Sequence, residues 1–94
     1  MKLIAIAAVA SIALAGAGVA NAQEALAKSS GCLNCHAVDT KKVGPAFKEI
    51  AAKYKGKADA EATLVTKLTK GQGHPPVKVS DDDAKGLVKW VLSQ

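Results

Sequence analysis

Gly31-Cys32-Leu33-Asn34-Cys35-His36 is the stretch that decides how the rest of this chain is read. It contains C-x-x-C-H, the pattern of c-type haem attachment. Two thiols three residues apart on a tight helical turn reach the two vinyl groups on one side of a porphyrin. The next residue then projects an imidazole at the iron. Thiols are needed for the thioether bonds, and a nitrogen ligand sets the chemistry of the iron. Other readings of the same residues compete. A disulfide suits an exported chain with two cysteines. A thioredoxin-like dithiol sits beside a βαβ pattern, which is not evident here. A zinc site would have to combine Cys32, Cys35, His36 and His74, and neighbouring Cys35 and His36 are awkward ligands for one tetrahedral ion.

Upstream, Met1-Lys2 is a minimal positive start, Leu3 to Ala15 is an apolar run, and Ala20-Asn21-Ala22 is an A-x-A cleavage pattern. The run is shorter than the ~20 residues of a membrane-spanning helix. Residues 1–22 are therefore expected to be a cleaved signal peptide rather than a retained membrane anchor, and residues 23–94 the functional domain. Cleavage leaves 72 residues with three aromatic side chains, Phe47, Tyr54 and Trp90. Domains below ~70–80 residues rarely stand on an apolar core alone, so a prosthetic group at the centre is consistent with the composition. All 13 basic residues are lysines; 12 remain after cleavage against eight acids, a net charge of +4. Lysine without arginine, and few aromatics, argue against nucleic-acid binding. A lysine-rich surface fits transient docking to an acidic redox partner, although it equally suits solubility alone.

The remaining segments read as helices. Gln23 to Ser30 is followed by Gly31 as a stop. Gly44-Pro45 opens a second helix, with Pro45 suited to its first position, Phe47, Ile50, Ala51 and Tyr54 at helical spacing, and Gly56 as its end. A third spans about Ala58 to Thr69, with Leu64, Val65 and Leu68 on one face and Gly71 as the stop. The last starts at Ser80, with Asp81, Asp82 and Asp83 in a first turn where the helix dipole favours anions. Its apolar face carries Leu87, Val88, Val91 and Leu92. No stretch alternates like a strand, so the expected class is all-α, three to four short helices.

From about Ala25 to Ser93, the segments GCLNCHAVD, KKVGPAFKEIAAKYKGKADAEATLVTKLTKG and VSDDDAKGLVKWVLS occur in the order of the small monohaem class I bacterial cytochromes c, which this chain resembles. The resemblance implies a helical bundle wrapped around one covalently attached haem c, held by Cys32 and Cys35 with His36 as proximal iron ligand. It also implies that the first and last helices cross, setting the Gln23–Ser30 helix against Leu87, Val91 and Trp90. By the same resemblance the carbonyl of Pro45 orients His36. Leu33, Phe47, Ile50, Leu64 and Leu68 are expected to line the haem pocket, although core packing would explain them equally well.

The chain departs from the family at one point. The family's second iron ligand is a methionine in the loop before the last helix. The only methionine here is Met1, which leaves with the signal peptide. The corresponding loop, Lys70-Gly71-Gln72-Gly73-His74-Pro75-Pro76-Val77-Lys78-Val79-Ser80, is shorter than the family's and puts His74 before Pro-Pro, where the relatives place methionine. His74 is thus the favoured distal ligand; a lysine such as Lys78, or an open site, are the alternatives. Because a thioether raises the potential, a second imidazole implies a low-potential carrier.

The expected function is periplasmic electron transfer by a monomeric single-haem protein that transforms no substrate and docks weakly to redox partners. The competing reading is a carbon monoxide or nitric oxide binding or sensing protein with an open or labile distal site. Peroxidase chemistry ranks below both, since the chain has no arginine and no evident distal acid–base pair.

Overall fold

The computed structural model describes residues 21–94, which form four helices joined by irregular segments, with no strand among the described residues. The expected signal peptide lies outside the described residues except for Asn21 and Ala22. Residues 21–29 are helical (α1). Next come a short 3₁₀ turn Cys32–Asn34, then α2 (Phe47–Tyr54), α3 (Ala60–Lys70) and α4 (Asp81–Leu92). The all-α expectation holds, with four helices.

Each helix ends where local chemistry requires it. Gly31, Gly56 and Gly71 take φ values of 85°, 79° and 70°, the left-handed conformation in which a helix can turn away without a Cβ penalty. At the start of α4, Ser80 Oγ accepts a hydrogen bond from the Asp83 amide at 3.1 Å. Asp81, Asp82 and Asp83 occupy its first turn. The second helix differs from the sequence expectation. It begins at Phe47 with Ala46 as N-cap, so Pro45 precedes the cap instead of filling the first helical position. Ala46 has no side-chain oxygen to cap with. Glu49 Oε1 instead accepts from the Ala46 amide at 3.3 Å, the acidic half of a capping box. α3 starts two residues later than expected, at Ala60.

The core is small and sits where α4 meets the other elements. Ala27 of α1, Phe47 of α2, and Leu87 and Trp90 of α4 form one buried cluster, with Leu26, Cys32, Leu33, Val38, Ile50, Val79 and Val91 packed against it. The first and last helices therefore do pack together. Gly86 is what allows α1 this close: a Cβ there would lie 2.7 Å from Gln23 Oε1. The Phe47 and Trp90 rings meet edge-to-face at 5.3 Å and 73°, an arrangement the aromatic quadrupole favours. These four buried residues seat α2 and α4 beneath the motif turn.

Candidate functional site

The motif turn is closed by its own backbone. The Cys35 and His36 amides donate to the Cys32 carbonyl at 3.2 and 3.0 Å. This makes Cys32–His36 one tight turn and leaves Cys32 and Cys35 as free, half-buried thiols. Burial pushes the Cys32 thiol up, so its neutral form is favoured. The chain after the turn folds back and is stitched to it. Gly44 N–H donates to the Cys35 carbonyl at 2.7 Å, Phe47 N–H to Ala37 at 2.9 Å, and Lys48 N–H to Val38 at 3.1 Å. Lys42 Nζ donates to the Leu33 carbonyl at 2.9 Å. Residues 37–46 thus form a return loop that delivers Pro45 beside His36.

At that point His36 Nδ1 lies 2.6 Å from the Pro45 carbonyl oxygen. A carbonyl only accepts, so the proton sits on Nδ1 and the Nε2 lone pair is left for a metal. Phe47 backs the same imidazole, its ring centroid 5.2 Å away and inclined by 25°. Gly44 faces it from the return loop.

The second histidine is presented by α3. Gly71 N–H donates to the Lys67 carbonyl at 3.1 Å and Val77 N–H to the Leu68 carbonyl at 2.8 Å, so the loop between them leaves and rejoins the end of that helix. Gly71 and Gly73 both have φ of 70°. Pro76 Cδ would be 3.1 Å from a Cβ at Gly71, so the proline ring folds over the glycine. In this loop His74 Nδ1 is 2.7 Å from the Pro75 carbonyl oxygen, so Nδ1 is the donor there and Nε2 is the nitrogen not engaged by that bond. The His36 and His74 rings are parallel to within 5°, with centroids 6.1 Å apart.

This donor set can be tested against a haem iron. Two imidazoles that share one metal ion each need a metal–nitrogen bond of about 2.0 Å, and the 6.1 Å between the ring centroids leaves room for that. The thiols, the two Nε2 atoms and the glycine clearance at His36 all suit a covalently attached haem. Among the described residues no group of three or more His, Cys, Asp or Glu side chains is placed to hold a metal ion.

The cytochrome c family profile matches residues 19–94. The chain belongs to the cytochrome c family. It is 54% identical over 78 residues to cytochrome c-551 of Pseudomonas aeruginosa, covering 76% of this chain and 75% of that protein. To cytochrome c-552 of Hydrogenobacter thermophilus it is 44% identical over 84 residues, covering 82% of this chain and 86% of the other. Among solved structures, the class 1 cytochrome MtoD of Sideroxydans lithotrophicus ES-1 superposes with a TM-score of 0.72 at 40% identity, covering 78% of this chain and 92% of that one. Wild-type Nitrosomonas europaea cytochrome c552 gives 0.68 at 46% identity, covering 74% and 96%. This cytochrome c is a small class I monohaem protein, carries one covalently attached haem c, and functions in electron transfer.

Within this cytochrome the sequence-derived site residues fall in two groups. Cys32, Cys35, His36, Pro45, Phe47 and His74 are tied together by the contacts above. Leu33 and Ile50 pack on the core cluster beside them, whereas Leu64 and Leu68 are half-buried on α3. Sequence reasoning missed the clearance at Gly44 and the Pro75 carbonyl. The His-Pro-Pro run was the signal for the second, because consecutive prolines fix backbone angles and so the direction of a carbonyl.

Proposed function

We propose that this cytochrome c is an exported, single-haem electron carrier with two histidine ligands, attached through Cys32 and Cys35, with His36 proximal and His74 distal. The observation that carries this reading is the parallel pair of imidazoles, 6.1 Å apart, each with Nδ1 on a proline carbonyl. The haem iron, when bound, supplies the one-electron couple.

The residues perform the rest. The thiols of Cys32 and Cys35 fix the group covalently, so its position does not depend on axial ligand strength. Pro45 holds the His36 ring, and its carbonyl increases the basicity of the imidazole by accepting from Nδ1. Imidazole is a harder donor than thioether and favours the oxidised metal, which argues for a potential below that of His/Met relatives. Leu33, Phe47, Ile50, Leu64 and Leu68 supply the apolar surroundings, which lower the local dielectric and exclude water. The carrier transforms no substrate and works as a monomer. The lysine-only cationic surface steers encounter with acidic partners at rates that fall with ionic strength. The A-x-A pattern at residues 20–22 supports export to the periplasm. Among the described residues, no helix is long and apolar enough to cross a membrane.

The test is the absorption spectrum of the purified haem protein, oxidised and reduced, with and without carbon monoxide, beside His74→Ala. Low-spin spectra in both states, no methionine–iron charge-transfer band, and carbon monoxide binding only in His74→Ala would support the reading. A wild type that is high-spin and takes up carbon monoxide as readily as the variant would sink it, and small-gas binding would take its place.

A further inference from the structure

We infer that the Pro75 carbonyl is a positioning group for the distal imidazole. It locks the ring of His74 parallel to that of His36 and holds its Nδ1 proton, as Pro45 does on the proximal side. The inference rests on the two-histidine reading above and adds to it the orientation of the second ring and the means by which it is fixed.

Three observations converge. The first is symmetry of support: His36 Nδ1 to Pro45 O is 2.6 Å and His74 Nδ1 to Pro75 O is 2.7 Å. The second is the 5° angle between the rings. Nothing in two-histidine ligation demands that angle, because each imidazole can rotate about its own metal–nitrogen bond. Something outside the bond has to set it, and on the distal side the hydrogen bond to Pro75 is the contact that restrains rotation. The third is the chemistry of the sequence His74-Pro75-Pro76. The Pro75 ring fixes its own φ. Pro76 then restricts the ψ of Pro75 to the extended range, just as Pro75 restricts the ψ of His74. The carbonyl that meets Nδ1 therefore points in a direction set by two proline rings. Pro76 is itself seated over Gly71, whose left-handed φ of 70° ends α3.

A ring restrained in this way keeps one orientation in both oxidation states, so little of the protein has to rearrange when an electron arrives or leaves. The hydrogen bond also increases the electron donation of the distal imidazole, reinforcing the effect of Pro45 on the other side.

Electron paramagnetic resonance of the oxidised haem protein reads the ring orientation directly. Parallel imidazoles give a rhombic low-spin signal with three resolved g values, and crossed imidazoles give a single-sided signal at large g. Nuclear magnetic resonance of protein labelled with ¹⁵N-histidine reads the hydrogen bonds, as two slowly exchanging Nδ1–H resonances. Wild type should show the rhombic signal and both resonances. In Pro76→Ala, which keeps His74 and the Pro75 carbonyl but frees the Pro75 ψ, the optical spectrum should stay low-spin. The rhombic signal should broaden or split, and one of the two Nδ1–H resonances should exchange faster than in wild type, because its acceptor carbonyl is no longer held in one direction. Gln72→Ala, an exposed position in the same loop, should leave all of these unchanged. A low-spin, carbon monoxide-resistant wild type with a crossed-plane signal, or with only one protected Nδ1–H, would overturn this inference while leaving the two-histidine reading intact. So would a Pro76→Ala variant indistinguishable from wild type. A wild type that binds carbon monoxide as readily as His74→Ala would remove both.

Discussion

Gly44 and His36 are so close that position 44 has no room for a side chain. A Cβ at Gly44 would lie 2.5 Å from Cε1, 2.9 Å from Nδ1 and 3.0 Å from Nε2 of the imidazole. The ring cannot easily give way, because Pro45 O holds its Nδ1 from one side and Phe47 backs it from another. The glycine is thus required by the space it leaves rather than by its backbone angles. The Gly44-Pro45 turn divides its work between the two residues: clearance beside the ring from Gly44 and a carbonyl on Nδ1 from Pro45.

Gly44→Ala should accordingly damage the proximal side. Overpacking of this kind costs about 1–3 kcal/mol, and here the strain falls on the ligand itself. A lower midpoint in chemical denaturation is expected, together with a larger fraction of carbon monoxide-reactive haem. An alanine variant with wild-type stability and spectra would show that the return loop can shift as a unit.

Phe47 is the aromatic link between the site and the core. It is 2% exposed, backs His36 at 5.2 Å and meets Trp90 edge-to-face. Phe47→Ala should cost about 3–5 kcal/mol, as large-to-small changes of buried aromatics do. Phe47→Leu should recover much of that loss. Thermal unfolding of the two variants side by side checks the ordering.

His74→Met exchanges the proposed imidazole donor for a thioether at the same position. The redox potential should rise, because a thioether favours the reduced metal more than an imidazole does. If the loop carries the sulfur to the iron, the methionine–iron charge-transfer band should appear in the oxidised protein. Potentiometry on the variant and wild type gives the sign, and a potential that falls would contradict the proposed role of His74.

Ser80→Ala separates stability from redox chemistry. Loss of the bond from the Asp83 amide to Ser80 Oγ removes the N-cap of α4 and should cost about 1 kcal/mol. The potential and the carbon monoxide response should not change, since Ser80 is exposed and caps a helix rather than contacting either histidine. A marked shift in potential would mean that the start of α4 helps set the position of the His74 loop.

Some features were legible because they are local. The motif spacing, the glycine stops at 31, 56 and 71, and the Ser80 cap each depend on a few neighbouring residues, and each falls where the local chemistry places it. The start of α2 differs from the sequence expectation for a tertiary reason. Pro45 would serve well at a first helical position, but here its carbonyl accepts from His36 and the Phe47 and Lys48 amides donate to the Ala37 and Val38 carbonyls. Those long-range bonds hold Pro45 outside the helix. Leu64 and Leu68 show the opposite limit: a helical apolar face announces burial, but not against what.

The sequence by itself determined that two thiols and an adjacent imidazole form one turn, that the chain is helical, and that no methionine beyond Met1 is available as a ligand. These follow from covalent spacing, backbone propensity and composition, none of which needs a folded chain. Only the tertiary structure decided that His74, carried on a loop at the far end of α3, lies parallel to His36 at 6.1 Å with its Nδ1 turned to a carbonyl. The distance and angle between two rings on separate segments depend on how α2, α3 and α4 pack. Packing is a property of the whole chain, and it is not written in any one stretch of it.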